Sequence, residues 1–181
     1  PDYYLSWARD ILNGNGSAYF PFPRAPLYPY IIAGIQGLFG TNWLWLRLFN
    51  LACDLITVSF IYHMAQSMMD RRAGIIAGII FSVSGASIYF TGEVLMTSLS
   101  TLAMTSIVYS LVTIKNNNLK KKIIFTGLGI GLMALLRPNI LILLPFTTAY
   151  THFVGRNYEF AGYRFKLPML HIATILIILT P

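Results

Sequence analysis

Residues 43–68 read WLWLRLFNLACDLITVSFIYHMAQSM and form a long, predominantly apolar run. An α-helix needs about 20 such residues to cross the hydrocarbon core of a bilayer. The charged triplet Asp70-Arg71-Arg72 follows the run and marks its end. We therefore predict that residues 43–68 form a membrane span.

The composition of the whole chain agrees with a membrane protein. Of its 181 residues, 56% are hydrophobic and only 10% are charged, whereas a soluble domain carries roughly 25% charged residues. In such a chain the net charge of +7 is typical of cytoplasmic loops rather than of nucleic-acid binding. The single cysteine, Cys53, is too few for a disulfide framework or a thiolate metal cluster within this sequence.

Further apolar segments follow the first span. Their approximate bounds are 73–90, 94–114, 123–136, 140–154 and a last one from about 167. Arg137-Pro138 would fall in the middle of a single helix over 123–154. That is unfavourable at membrane depth, so two short spans in a hairpin are predicted there. The sequence thus predicts an all-α, polytopic transmembrane protein with about six spans over residues 43–181.

The two ends of the chain suggest a longer protein. The sequence does not begin with methionine, and its last apolar run ends at Pro181. We therefore expect that residues 1–181 are a single N-terminal fragment of a transmembrane domain, with a truncated last span.

The first 40 residues are predicted to lie along the membrane surface. DYYLSWARDILNG, residues 2–14, has apolar residues at helical spacing and is typical of an amphipathic helix. Residues 26–40, PLYPYIIAGIQGLFG, are apolar, short, rich in tyrosine and interrupted by Pro29. Such a segment is too short to span and suits the interface. Residues 1–40 therefore form an external loop with two interfacial helices in this prediction.

The distribution of charge predicts which side of the membrane is cytoplasmic and which is external. With residues 26–40 in the interface, nine of the 13 Lys and Arg residues fall on one side of the membrane. The positive-inside rule places that side in the cytoplasm. The opposite, external side then gathers charged residues from separate stretches of the chain: Asp2, Arg24, Glu93 and Arg137.

These external charges suit chemistry on a phosphate-linked sugar. Arg24 lies within FPFPRAPLYPY, residues 20–30, where prolines would hold a guanidinium fork in place for phosphate oxygens. Asp2 and Glu93 are acids that could deprotonate an acceptor hydroxyl as a general base. Each has a structural alternative as well: Arg24 as an interfacial anchor, and Glu93 as a residue that caps the next span. Arg137 at the hairpin tip has a structural alternative too, and it is assigned a supporting role with Tyr4 and Tyr28.

A polar face lies inside the first span. Arg47, Asn50 and Asp54 share one side of the predicted helix. Polar residues at membrane depth are costly and usually pair with one another or line a cavity. Hydrogen bonding between helices and a proton or ion path are both open for this intramembrane cluster. His63 and His152 have no partner at metal-ligand spacing, so no metal is assigned to them.

Six motifs occur in an order that resembles a known superfamily. They read DYYLSWARDILNG, APLYPYIIAGIQGLFG, LRLFN, DRRAGIIAG, YFTGEVLMTSL and ALLRPN. This order resembles the polyprenyl-phosphate-sugar-dependent glycosyltransferases of the GT-C superfamily. The likeness is to bacterial members akin to protein mannosyltransferases and to the aminoarabinose transferase that modifies lipid A.

The resemblance carries expectations about the site. It implies a donor sugar on a polyprenyl phosphate, bound from the external leaflet, and an inverting transfer with an acid of the first loop as base. Arg24 falls where lipid-A-modifying relatives carry a lysine that contacts the lipid phosphate, and Glu93 matches the second acidic position. The loop aspartate of the family would fall just before Pro1, so Asp2 is its shifted equivalent or its neighbour. Pro23 stands where some relatives place an acid that helps to hold a divalent metal, so no metal is expected at that point.

We therefore predict an integral membrane hexosyl- or pentosyltransferase of the cell envelope. Its partners would be a polyprenyl-phosphate-linked sugar, membrane lipids and an acceptor that is a lipid, a glycan or a protein, and not nucleic acid. The active face would be external, or periplasmic if the membrane is a bacterial inner membrane. Two alternatives remain: a transporter or flippase whose path is lined by Arg47, Asn50 and Asp54, and a non-catalytic membrane subunit of the same fold.

Overall fold

The computed structural model describes residues 2–15, 25–93, 95–113, 119–157 and 163–179. Throughout these ranges the regular structure is helical and contains no strand, which confirms the all-α prediction for the described chain. The helices are α1 (Asp2–Leu12), α2 (Leu27–Phe39), α3 (Trp43–Met68), α4 (Arg71–Val83), α5 (Gly85–Gly92), α6 (Thr97–Val112), α7 (Leu119–Leu136), α8 (Leu144–Asn157) and α9 (Tyr163–Leu179), and a 3-10 helix (Pro138–Leu143) precedes α8.

The first two helices pack on each other. In α1 the apolar side chains of Tyr4, Trp7 and Ala8 are buried, as the helical spacing predicts. Pro29, which we expected to interrupt the second segment, lies in the first turn of α2. A helix tolerates proline there because the first-turn N–H groups have no intrahelical partner. Gly40 ends α2 with a φ of 87°, a conformation that favours glycine.

Helix α3 has the bounds that the apolar run predicts. Asn42 caps its N-terminus, since its Oδ1 accepts a hydrogen bond of 3.0 Å from the Leu44 N–H. Asp70 starts the next helix in the same way, because its Oδ1 accepts a bond of 2.7 Å from the Ala73 N–H. The two capping residues therefore lie on either side of α3, Asn42 just before it and Asp70 just after it.

The second predicted span, residues 73–90, is two helices in the structure. Helices α4 and α5 meet at Ser84 with a bend of 53°. Ser84-Gly85 is a pair of the kind at which helices commonly kink. The Ser82 hydroxyl also donates to the Gly78 carbonyl one turn earlier, at 2.8 Å, a bond that bends helices.

The second half of the chain forms three long helices and a 3-10 segment. Helix α7 begins at Leu119, earlier than predicted, because the lysines of the expected loop are good helix formers. Arg137 interrupts the chain between α7 and the 3-10 helix with an extended conformation. This break agrees with the two separate segments predicted around Arg137-Pro138.

The helices form one packed bundle with α1 and α2 against one side. Helix α3 packs on α4 and α6, α6 packs on α7, and α7 packs on α9. The Ser110 hydroxyl donates to the Lys122 carbonyl at 3.1 Å, so the end of α6 meets the beginning of α7 and the two run antiparallel. The beginning of α6 and the end of α7 therefore lie at the same end of the bundle.

Length and composition identify one described helix that could cross a membrane by itself. That helix is α3, of 26 residues, and the bent pair α4–α5 would be a second if it counts as one span. Helices α2 and α6 and residues 166–178 of α9 are apolar but shorter. The other predicted spans stay predictions.

Candidate functional site

Glu93 lies in the turn between α5 and α6, and its side chain is partly exposed. Its backbone is extended, with φ −93° and ψ 145°. The Glu93 carbonyl accepts a hydrogen bond of 2.7 Å from Asn50 Nδ2 of α3. Asn50 itself is only 1% exposed. One residue of the predicted intramembrane cluster therefore holds the backbone of a predicted catalytic residue.

Asp54, one turn further along α3, is also buried. Its Oδ2 accepts a hydrogen bond from the Thr91 hydroxyl at the end of α5. The same oxygen accepts a bond of 3.2 Å from the Ser98 hydroxyl in the first turn of α6. A buried carboxylate costs free energy unless such donors surround it. Asp54 therefore connects α3 to the helices on both sides of the Glu93 turn.

The third member of the intramembrane cluster has different surroundings. Arg47 is exposed and lines a cavity of about 440 Å³ between α3, α4 and α5. The cavity walls are mostly apolar, and their other polar members include Asp54, Ser82, Ser87 and Thr91. Such a cavity could hold an apolar chain with a polar group at one end. Residues on both sides of the α4–α5 bend line it, since Phe81 precedes the bend and Ile88 follows it.

Two predicted supporting residues, Tyr4 and Tyr28, meet in the structure. Their ring centroids are 5.4 Å apart at an interplanar angle of 88°, an edge-to-face contact that is favourable for aromatic rings. Both rings are buried in the core between α1 and α2. Burial, with smaller contributions from Tyr4 and Cys53, raises the pKa of Tyr28. The Tyr28 phenol is therefore neutral at physiological pH.

Arg137 is exposed at the end of α7. Its N–H donates to the Met133 carbonyl at 2.7 Å, and its own carbonyl accepts from the Ile140 N–H at 3.1 Å. Because α6 and α7 are antiparallel, Arg137 lies at the same end of the bundle as Glu93. The structure thus places two of the four predicted external charges at one end.

The other two external charges are less defined. Arg24, the predicted phosphate ligand, and Pro23 lie outside the described residues. Asp2 is the first residue of α1, and its side chain is not among those described. Within the described ranges, no three His, Cys, Asp or Glu side chains are grouped so that they could hold a metal ion.

The sequence analysis predicted no role for Thr91 and Ser98, although both donate a hydrogen bond to Asp54. A signal was present, because a carboxylate within an apolar span must find donors on a neighbouring helix. Both hydroxyl residues are close to Glu93 in the sequence. The sequence does not reveal which of the many Ser and Thr residues would be chosen.

Comparison with known protein families gives a match over most of the chain. The family described as dolichyl-phosphate-mannose-protein mannosyltransferase matches residues 23–181, which include the Glu93 turn, the polar face of α3 and the cavity. No curated protein and no solved structure matches the chain.

Proposed function

Because the chain belongs to the dolichyl-phosphate-mannose-protein mannosyltransferase family, a membrane-embedded family of GT-C-type glycosyltransferases, we propose that it transfers a sugar from a polyprenyl-phosphate donor. The transfer takes place at the external face of the membrane and inverts the sugar's anomeric configuration. The family match over residues 23–181 is the observation that carries this proposal. It also supports the resemblance seen in the six sequence motifs.

In the proposed mechanism, Arg24 binds the lipid phosphate. An arginine suits this task because its planar fork gives several charge-assisted hydrogen bonds to phosphate oxygens. Asp2, or an acid close to it, removes the proton of the acceptor hydroxyl as general base. The acceptor oxygen then attacks the anomeric carbon, and the lipid phosphate leaves with the electrons of the broken bond.

Glu93 supports or positions this reaction from the turn before α6. The proposal is favoured by its position at the end of the bundle that also carries Arg137, and by the hydrogen bonds that fix its backbone. Tyr4 and Tyr28 support the first loop from within its packed core. Residues 1–40 are then the external loop, and residues 43–181 form the membrane-spanning part, in a bacterial inner membrane.

The proposal is tested by sugar transfer in membranes that contain the full-length protein. Labelled polyprenyl-phosphate hexoses and pentoses are supplied from the external side to wild type, Arg24→Ala and Arg9→Ala. Arg9 is a matched control, because it is an exposed arginine of the same loop at the end of α1. A group that binds a charged ligand contributes ~1.5–3 kcal/mol, so Arg24→Ala should lower donor use about 10- to 100-fold or more, with Arg9→Ala unchanged.

Other outcomes would decide against the proposal. Wild-type turnover in Arg24→Ala removes the phosphate role of that residue. If the inserted wild-type protein consumes no donor at all, the transporter and the non-catalytic subunit become the better explanations. Retention of the donor's anomeric configuration in the product would contradict the inverting mechanism.

A further inference from the structure

We propose that Asn50 and Asp54 are positioning residues, which fix the place of the Glu93 carboxylate by holding the turn between α5 and α6 against α3. The inference rests on the proposed function, in which Glu93 takes part in sugar transfer. It gives the polar face of α3 a role that neither the family match nor the sequence motifs assign.

The first observation is that the turn is held on both sides and in its middle. Thr91 precedes the turn and Ser98 follows it, and both hydroxyls donate to the single oxygen Asp54 Oδ2. Between them, Asn50 Nδ2 donates to the Glu93 carbonyl at 2.7 Å. Three hydrogen bonds from one helix face therefore reach three points within eight consecutive residues.

The second observation is the burial of the two holding side chains. Asn50 is 1% exposed and Asp54 is 8% exposed, whereas Glu93 is partly exposed. Buried polar groups with satisfied hydrogen bonds have one well-defined position. A partly exposed turn residue would otherwise sample many conformations. Helix α3 is therefore the rigid element, and it fixes the turn that carries the Glu93 carboxylate.

The hydrogen bonds also argue against an ion path along this face. In the described chain they run outward from α3 to α5, to the turn and to α6. The next buried polar residue of the same helix, Thr57, donates to the Cys53 carbonyl of its own helix at 2.8 Å. The polar face of α3 therefore connects neighbouring helices at one end of the bundle. It does not form a chain of hydrogen bonds from one polar side chain of α3 to the next.

The first test measures how rigidly α3 holds the turn between α5 and α6, by hydrogen–deuterium exchange of the full-length protein in lipid nanodiscs. Asn50→Leu keeps the branched shape of the side chain and removes the donor, and Asp54→Ala removes the shared acceptor. Thr57→Val is the control, because it removes a buried hydroxyl of the same helix that bonds within α3. We expect amides of residues 91–98 to exchange about tenfold faster or more in the first two variants only.

Unchanged exchange of residues 91–98 in Asn50→Leu would overturn the proposal. An equal acceleration in α7 and α9 would also overturn it, because the effect would then be general destabilisation. If Asp54→Ala fails to fold, Asn50→Leu and Asp54→Asn, which keeps an acceptor oxygen, still decide the matter. In Asp54→Asn the amides of residues 91–98 should exchange at a rate closer to wild type than in Asn50→Leu. If Asp54→Ala folds, they should also exchange more slowly in Asp54→Asn than in Asp54→Ala.

The second test asks whether Asn50 acts through Glu93. Asn50→Leu should lower kcat about tenfold or more and leave the donor KM within about twofold. In a Glu93→Gln background the same substitution should have no further effect on kcat. Independent, multiplicative losses would show that Asn50 does not act through Glu93. If wild type transfers no sugar from any donor, the proposed function fails, while the exchange experiment still decides whether α3 holds the turn.

Discussion

Asp54 accepts hydrogen bonds from two hydroxyl groups that belong to different helices. A buried carboxylate with fewer donors is less stable, because the desolvation of its charge is no longer offset. We therefore expect Thr91→Val, which keeps the side-chain shape, to lower the free energy of unfolding by about 0.5–2 kcal/mol. Denaturant unfolding in detergent measures the difference.

The matched control for this substitution is Thr101→Val in α6. The Thr101 hydroxyl donates to the Thr97 carbonyl of its own helix at 2.9 Å. Its loss therefore does not remove a hydrogen-bond donor from a buried carboxylate. A loss in Thr101→Val as large as that in Thr91→Val would show that the hydroxyl pairing with Asp54 contributes nothing particular.

Tyr28 leads to a prediction about pH, because burial raises its pKa in the folded protein. The unfolded chain ionises this phenol near pH 10, whereas the folded chain keeps it neutral at that pH. The contribution of Tyr28 to stability is therefore full below about pH 10 and is lost as the pH rises further. Wild type should lose more stability than Tyr28→Phe between pH 9 and pH 11, and equal losses would contradict the assignment.

At the scale of elements, the contact of α7 with α9 depends on glycine. A Cβ atom at Gly127 would stand 1.8 Å from Thr174 Oγ1 and 3.0 Å from the His171 carbonyl oxygen. Such overpacking costs ~1–3 kcal/mol, so Gly127→Ala should lower the thermal midpoint of unfolding in detergent.

Gly34 of α2 is the control for Gly127, since nothing lies within 4 Å of its would-be Cβ atom. Gly34→Ala removes only the entropy cost of glycine in a helix and should stabilise the protein by ~0.5–1 kcal/mol. The two substitutions therefore shift the midpoint in opposite directions. Stabilisation by Gly127→Ala would mean that α7 and α9 are not in close contact.

The elements differ in how well the sequence predicts them. The bounds of α3 follow from the apolar run and from the caps at Asn42 and Asp70, which are local signals. The bend at Ser84 is hidden, because the residues on both sides of it are equally apolar and only the Ser-Gly pair marks it. Local composition also fails at Lys120–Lys122, where the charge indicates a loop and the helix propensity of lysine prevails.

At the scale of the whole molecule, the site depends on contacts between distant residues. The sequence identifies Asn50, Asp54 and Glu93 as polar or charged residues in a mostly apolar chain. The Asn50–Glu93 bond joins residues 43 positions apart. No periodicity or spacing predicts such a pairing, because it follows from how α3, α5 and α6 pack.

Orientation of the molecule in the membrane is a further prediction at this scale. In a cysteine-free background, a cysteine at Thr41, before α3, should react with an impermeant maleimide added outside intact cells. A cysteine at Met69, after α3, should react only once the membrane is permeabilised. Thr41 and Met69 are both exposed, so both sites are accessible to reagent on their own side.

The reverse pattern of labelling would overturn the orientation derived from the positive-inside rule. Labelling of both sites in intact cells would show that α3 does not cross the membrane. If α4 and α5 together form one span, either result would also place the Glu93 turn on a different side from the one proposed.

The bonds of Asp54 have a consequence for biosynthesis. Its two donors follow it in the chain by 37 and 44 residues, so neither has emerged from the ribosome when Asp54 does. At ~5–20 residues per second, the nascent helix carries its carboxylate without these donors for about 2–9 s. Exposure of this acid to lipid during that time would cost the helix free energy. We therefore expect that, if α3 spans the membrane, it enters lipid more favourably once α5 and α6 have arrived.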